Sequence, residues 1–366
     1  MKISSVETIP VSLPVRRDLA ILSAAGQHPE SHYLFIKIST EDGVAGYGEG
    51  TLAPVWSGES QPAAQHIIRD LIAPLLIGKD PLHLNALIDS MDRALIGNPF
   101  TRAAIEMALV DLAAKALRVP VFDLLGGPRR PPEIRLKFSI GAFSPQEAVR
   151  VARHALALGL SAVKVKVGFD VTQDIARVEA VRSEAGKECR IAVDANGGWT
   201  ESDARRAIPL LERLNINALE QPIRRGDFRG CARLRRRTAI PILLDESIFT
   251  PQDALEAIRC DACDLISIYP GKNGGIFRSL QIAQMAVAAG LQCVIGSNLE
   301  MDLGTAAMLH LAVAMPALAT SVDHDIIGPL YYERHLTDFP VRFKAGFAIV
   351  EDRVGFGASI DLSTTQ

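Results

Sequence analysis

The sequence predicts an α/β protein, a TIM-type barrel preceded by a smaller α+β module, and three observations carry that prediction. Eight short β-branched or apolar runs alternate with amphipathic helical stretches at roughly 25 to 30 residues per repeat, the pattern of βα units around a parallel sheet. Four of those runs end in charged or amide residues, at the strand ends where a barrel carries its chemistry. No Gly-x-Gly-x-x-Gly follows the first run, so the usual argument for a dinucleotide-binding sheet is missing.

A chain of 366 residues is about two domains long at roughly 150 residues each. The α+β module is read over residues 1–127. Apolar alternation in 2–15 and 33–38, the Glu41-Asp42-Gly43 turn and the run 44–48 form an antiparallel meander. From 62 to 116 the period becomes helical, and the alanine-rich stretch 103–115 allows close packing. Leu124-Leu125-Gly126-Gly127-Pro128 is the strongest punctuation and marks the boundary to a barrel over 128–339. The eight barrel runs are 134–140, 162–167, 191–193, 218–219, 242–244, 265–268, 292–295 and 320–322. The last stretch, 340–366, returns to strand-like alternation and is expected to pack back on the first module.

Composition narrows the partners. The chain is 22% charged and 48% hydrophobic, with 39 basic against 42 acidic residues and no long like-charge block. No nucleic-acid or membrane partner is therefore expected, and Arg233, Arg235, Arg236 and Arg237 are read as a solvated helix face. Residues 1–14 have no apolar stretch long enough for a signal peptide or a spanning helix. Five cysteines form an odd, sparse set suited to a reducing compartment, so a cytoplasmic location is expected. Cys260 and Cys263 have no second pair or nearby histidine to complete a zinc site and are read as ordinary buried thiols.

The second run ends in Lys164-Val165-Lys166, the third in Asp194-Ala195-Asn196, the fourth in Glu220-Gln221-Pro222 and the fifth in Asp245-Glu246-Ser247. Alternation points Lys164 and Lys166 to one side, and two close ammonium groups depress each other's pKa, which would make one of them a base. Asp194, Glu220 and Asp245 follow at intervals of 26 and 25 residues, one βα unit each, so in a barrel they converge from neighbouring strands. Three carboxylates without histidine or cysteine are hard oxygen ligands suited to Mg²⁺. The plainer reading is that strand-end acids cap the following helices or pair with the lysines. A lysine base facing a divalent cation is equipment for removing a proton α to a carboxylate through an enediolate.

This order of Lys-x-Lys, Asp-x-Asn, Glu-Gln-Pro, Asp-Glu-Ser and then Gly271-Lys272-Asn273-Gly274-Gly275 resembles the enolase superfamily and, within it, the muconate lactonizing subgroup (the mandelate racemase/muconate lactonizing enzyme family). The resemblance extends to Gly46-Tyr47-Gly48-Glu49, the alanine-rich helix and the Leu-Leu-Gly-Gly segment. It implies a (β/α)7β barrel with an α+β capping domain built from both termini. It also implies Mg²⁺, with Mn²⁺ as a substitute, on Asp194, Glu220 and Asp245, Lys166 as acid/base, Lys164 as its electrostatic partner, and a symmetric homo-oligomer. The activity implied is that of an isomerase or lyase acting on a small carboxylate through an enolate, muconate cycloisomerase-like with Lys166 serving one face.

The chain departs from the subgroup where a second lysine is expected after the sixth run, and Tyr269 stands there. This disfavours two-base racemisation; Tyr269 is either a hydrogen-bond or proton donor or a residue packing at the rim. Asp323-His324-Asp325 resembles the device that binds an ammonium group in members acting on amino-acid derivatives, which would suit a dehydratase or epimerase. Otherwise the two acids orient His324 or meet the lysines. Specificity is assigned to capping loops at 23–32, with Gln27, His28 and His32, and at 51–60, with Trp56. Asn196, Lys272, Asp323, Asp325, Trp56 and His32 are thus the substrate-binding candidates. Two other classes stay open, a Schiff-base aldolase using Lys164 or Lys166 and a degenerate, non-catalytic binding protein.

Overall fold

The computed structural model describes residues 1–360. Strand β1 (Ile3–Pro14) leads through a short hairpin, β2 (Ile21–Ser23) and β3 (Gly26–His28), to β4 (Glu30–Thr40) and β5 (Ala45–Leu52). The sheet order is β1-β4-β5, antiparallel throughout. Gly46, Gly48 and Gly50 recur at period two on β5 and so share one face. There a Cβ on Gly46 or Gly48 would collide with the Ala108 and Ala104 carbonyls of the helix Pro99–Leu117. Bare backbone is therefore what lets the helix lie on the strand, and 15 of its residues are buried, leaving no polar face.

The barrel strands are β7 (Phe138–Ile140), β8 (Ala162–Lys166), β9 (Arg190–Asp194), β10 (Ala218–Glu220), β11 (Ile242–Leu244), β12 (Leu265–Ile268) and β13 (Gln292–Ile295). All are parallel, and each is bonded to the next in chain order. The first and last expected runs differ from the sequence reading. Run 134–140 splits, because β6 (Glu133–Arg135) leaves the barrel to pair with β15 (Phe347–Ile349), itself paired with β14 (Arg342–Lys344). Run 320–322 forms no strand. Its segment instead closes the ring through isolated parallel bridges, Cys293 to Leu318 and Leu136 to His324. Its flanking amides reach different neighbours, Ala319 N donating to Cys293 O at 2.8 Å and His324 N to Arg135 O at 3.1 Å, so no continuous ladder develops.

After β15 the chain reaches the first module, where Val121 N donates to Gly355 O (3.0 Å) and Phe356 N to Asp111 Oδ1 (2.9 Å). The expected C-terminal segment is described to Ile360, and its last six residues lie outside the described residues. Two buried carboxylates of the first module cap barrel helices. Glu49 accepts from Met301 N (2.7 Å) and Gly304 N (2.8 Å) at the start of helix Asp302–Ala314. Glu106 accepts from Phe277 N (2.9 Å) in the first turn of helix Ile276–Ala288. Among the described residues no helix is long and apolar enough to cross a membrane.

Candidate active site

A layer of Ala192, Ala218, Leu243, Leu265 and Val294 fills the barrel, contributed by consecutive strands. Two residues further along each strand, alternation returns the chain to the same face, which brings in Asp194, Glu220, Asp245, Ser267 and Gly296. Glu220 pairs in register with Asp194, and Lys166 pairs with Asp194 from the other side. The three expected acids thus sit on one polar layer above an apolar one.

Ammonium groups stand between them. Lys164 Nζ donates to Glu220 Oε2 at 3.1 Å and Asp325 Oδ2 at 3.0 Å, and lies 3.5 Å from Asp194. Lys166 Nζ donates to Asp194 Oδ2 at 2.5 Å and Asn196 Oδ1 at 2.8 Å. Lys272 Nζ donates to Asp245 Oδ1 at 2.6 Å, and Lys137 Nζ lies 2.8 Å from Asp325 Oδ2.

The electrostatics correct one expectation. Burial disfavours the Lys164 ammonium, but Asp325, Glu220 and Asp194 outweigh it and hold its pKa well above the usual lysine range. Proximity of two lysines gave the wrong sign for Lys164 because it left out the carboxylates around them. Burial, then the Asp194 charge, pushes Glu220 up to about 7. Asp325 is down at about 2, because Lys137 and Lys164 overcome its burial.

Among the described residues no three His, Cys, Asp or Glu side chains are already converged as metal ligands. The donor set nevertheless fits a hard divalent cation: three buried carboxylates on one layer, with Glu220 pushed up by burial and by the neighbouring Asp194 charge. Glu246 Oε2, buried beside them without a hydrogen-bond partner, adds to the same excess of negative charge.

A cavity opens beside this layer, and Lys164, Lys166 and Asp325 are the charged side chains that line it. Trp56 lines it as expected, from the helix Pro54–Ser57. Asn196 fixes Lys166 through the 2.8 Å bond and has a left-handed backbone, φ +42°. Three other candidate residues are placed away from the cavity. Lys272 is fully buried under Tyr269, 4.9 Å from the ring centroid, and its three donors go to Asp245 Oδ1, Asp245 O and Ser267 O, so none is left for substrate. Asp323 is held by Arg190 at 2.5 Å, near the N-terminal start of β9, because the irregular last barrel segment separates it from Asp325. The acidic pair is therefore split and each member is neutralised by cations, which removes the proposed ammonium site. His32 faces outward, with Nδ1 2.8 Å from Ser12 Oγ, and its neighbour His28 lines the cavity instead.

Tyr269 is fully buried in the barrel and its Oη has no partner. Burial and the charges of Asp245, Glu300 and Glu246 hold the phenol well above its ordinary pKa, so it stays protonated. It does not line the cavity.

Sequence reasoning missed Lys137, hidden as a single charge in an apolar run, and Ser139, Ser297 and Asn298 on the cavity wall. The β2–β3 hairpin was read as a loop, although Ala25-Gly26 is a usable turn signal. A hydrogen-bond chain joins this hairpin to the barrel. His28 Nε2 lies 2.6 Å from Ser31 Oγ, which lies 2.6 Å from Tyr332 Oη; Tyr332 and Tyr33 both donate to Leu299 O. Leu299 lines the cavity with φ +58°, a strained value for leucine.

Comparison with known proteins matches both parts. Residues 5–126 match the mandelate racemase / muconate lactonizing enzyme N-terminal domain, and residues 147–364 match the enolase C-terminal domain-like family. An N-succinyl-L-Arg/Lys racemase of Bacillus cereus is 30% identical over 100% of this chain and 97% of the relative. A chloromuconate cycloisomerase of Cupriavidus necator is 34% identical over 99% and 97%. The structure of a dipeptide epimerase from Enterococcus faecalis, complexed with Mg and L-Leu-L-Tyr, superposes with a TM-score of 0.93 at 30% identity, covering 98% of this chain and 100% of that one.

Proposed function

The chain belongs to the enolase superfamily, in its muconate lactonizing enzyme subgroup, and from that premise we propose an isomerase that works through the enolate of a carboxylate substrate, with Lys166 as the single acid/base. One observation carries the reading: among the described residues Lys164 and Lys166 are the lysines on the cavity, and the position where a second base would stand holds a buried phenol. Asp194 and Asn196 accept from Lys166 Nζ and leave its third N–H for the reacting carbon. Lys164, kept cationic by the acids around it, binds and orients the substrate carboxylate.

Asp194, Glu220 and Asp245 would hold Mg²⁺, or Mn²⁺ in its place, and the ion would supply the charge that stabilises a doubly negative enediolate. The epimerase relative crystallised with Mg supports this assignment. Proton delivery from one face suits a cycloisomerisation. Tyr269 Oη, buried off the cavity, is not placed to protonate a leaving hydroxyl, so a dehydration would have to use Lys166 on the same face. The family resemblance supports a symmetric homo-oligomer, which light scattering would size, and the sparse cysteines suit a cytoplasmic location. The activity test is Mg²⁺-dependent α-proton exchange in D₂O over a panel of carboxylic acids. The wild type is expected to exchange and Lys166→Ala is not; exchange surviving in that variant would overturn the role of Lys166.

A further inference from the structure

We propose that this site selects carboxylates whose distal portion is uncharged, a class defined by the cavity wall opposite the lysines. This narrows the reading above, away from dianionic muconate-like substrates, and rests on it for the placement of the reacting carboxylate. The charged side chains on the cavity are Lys164, Lys166 and Asp325. Asp325 is already neutralised by Lys137 at 2.8 Å and Lys164 at 3.0 Å, so it offers nothing to a cationic substituent.

The rest of the lining is apolar at Ile21, Val55, Trp56, Leu299 and Ile327, and polar without charge at residues that include Ser23 and Gln27. Its one ionisable group is His28, whose pKa is lowered to about 4 by burial and then by His32, so the imidazole is neutral at physiological pH. The 2.6 Å contact to Ser31 engages Nε2, and the chain through Tyr332 to Leu299 ties the wall to the barrel. The wall is thus neutral and fixed before a ligand arrives.

A second carboxylate or an ammonium group pushed against this wall would lose its hydration without finding a counter-ion. Burying an unpaired charge carries a large desolvation penalty, whereas an amide end can hydrogen-bond Ser23 or Gln27 and a methyl end has no polar hydration to lose. The wall discriminates by withholding a partner, as negative selection does elsewhere. The racemase relative that acts on N-succinyl-Arg/Lys and the epimerase bound to a dipeptide handle substrates with additional charged groups. This wall provides no charged group to meet them.

The test uses four six-carbon acids of one length: adipate, 6-aminohexanoate, the monoamide of adipic acid and hexanoate. Binding is read from quenching of Trp56 fluorescence in the Mg²⁺-loaded enzyme, with Trp56→Phe as the control for signal from the buried Trp199. The monoamide and hexanoate are expected to bind at least about tenfold more tightly than either doubly charged acid. Gln27→Glu is expected to shift the preference towards 6-aminohexanoate and Gln27→Lys towards adipate. Equal or tighter binding of adipate or 6-aminohexanoate by the wild type would overturn the proposal, as would the absence of saturable binding by both neutral-ended acids. α-Proton exchange on the bound acids reads the enolate chemistry separately. A binding preference without exchange would defeat the proposed reaction and leave the selectivity standing.

Discussion

The barrel mouth and the seam between capping module and barrel both bury acids, and they satisfy them in opposite ways. In the seam Glu49 and Glu106 accept backbone N–H bonds at the starts of two helices, and among the described residues neither forms a direct ion pair, although the Arg278 and Arg102 charges act on Glu106 from further away. Burial pushes them up to about 8 and about 7. In the mouth Asp194 and Asp325 are held low by lysines 2.5 to 3.0 Å away. Helix N-termini offer only partial charge, enough to place a carboxyl and too little to hold it ionised against burial. Ammonium groups in contact hold Asp194 and Asp325 low, while Glu220, which shares Lys164 with both of them, is still pushed up to about 7 by burial and by the Asp194 charge. The seam is structural and tolerant of neutralisation, and the mouth is chemical and intolerant of it.

The sharpest break of this contrast is Lys166→Ala. It should lower turnover by roughly 10²- to 10⁴-fold, the usual contribution of a positioned acid/base, with unchanged circular dichroism. Asp325→Asn comes next, because it leaves the buried Lys137 ammonium without its carboxylate and removes one of the acids around Lys164. A loss of about 3–5 kcal/mol in urea unfolding is expected, the cost of breaking a buried pair from one side. Glu49→Ala removes the acceptor for two helix N–H groups and should cost about 1–3 kcal/mol.

The seam also has a pH signature. Glu49 titrates higher when folded than at its ordinary 4.5, so the folded state binds more protons between 4.5 and about 8. Its contribution to stability is complete below pH 4.5 and is lost as pH rises through 8. Unfolding curves from pH 5 to 9 should show that decline, and Glu49→Gln should flatten it. The smallest effect is Ser31→Ala, which interrupts the chain from His28 to Leu299. About 1 kcal/mol of stability should be lost, with a raised KM and little change in kcat.

Strand-end chemistry was legible because a parallel barrel turns a one-dimensional spacing into convergence. Asp194, Glu220 and Asp245 recur once per βα unit, and their register places them on one layer. The roles of Lys272 and Asp323 were not legible. Which way a lysine in a short helix turns, and whether the eighth segment is a true strand, depend on partners far away in sequence. Asp323 faces Arg190, 133 residues earlier, and no local pattern reports that pairing. Lys164 shows the same limit for electrostatics, since its neighbour in sequence is a lysine while its neighbours in space are acids.

The central claim, proton transfer at one face by Lys166 alone, is tested most directly by the stereochemistry of exchange. A chiral acid that binds is incubated with the Mg²⁺-loaded enzyme in D₂O, and deuterium and configuration are followed together by NMR and chiral chromatography. The expected result is a single α-deuterium with full retention of configuration, abolished in Lys166→Ala and preserved in Tyr269→Phe. Deuterium appearing with inversion or racemisation would demand a second base on the opposite face and would contradict the account.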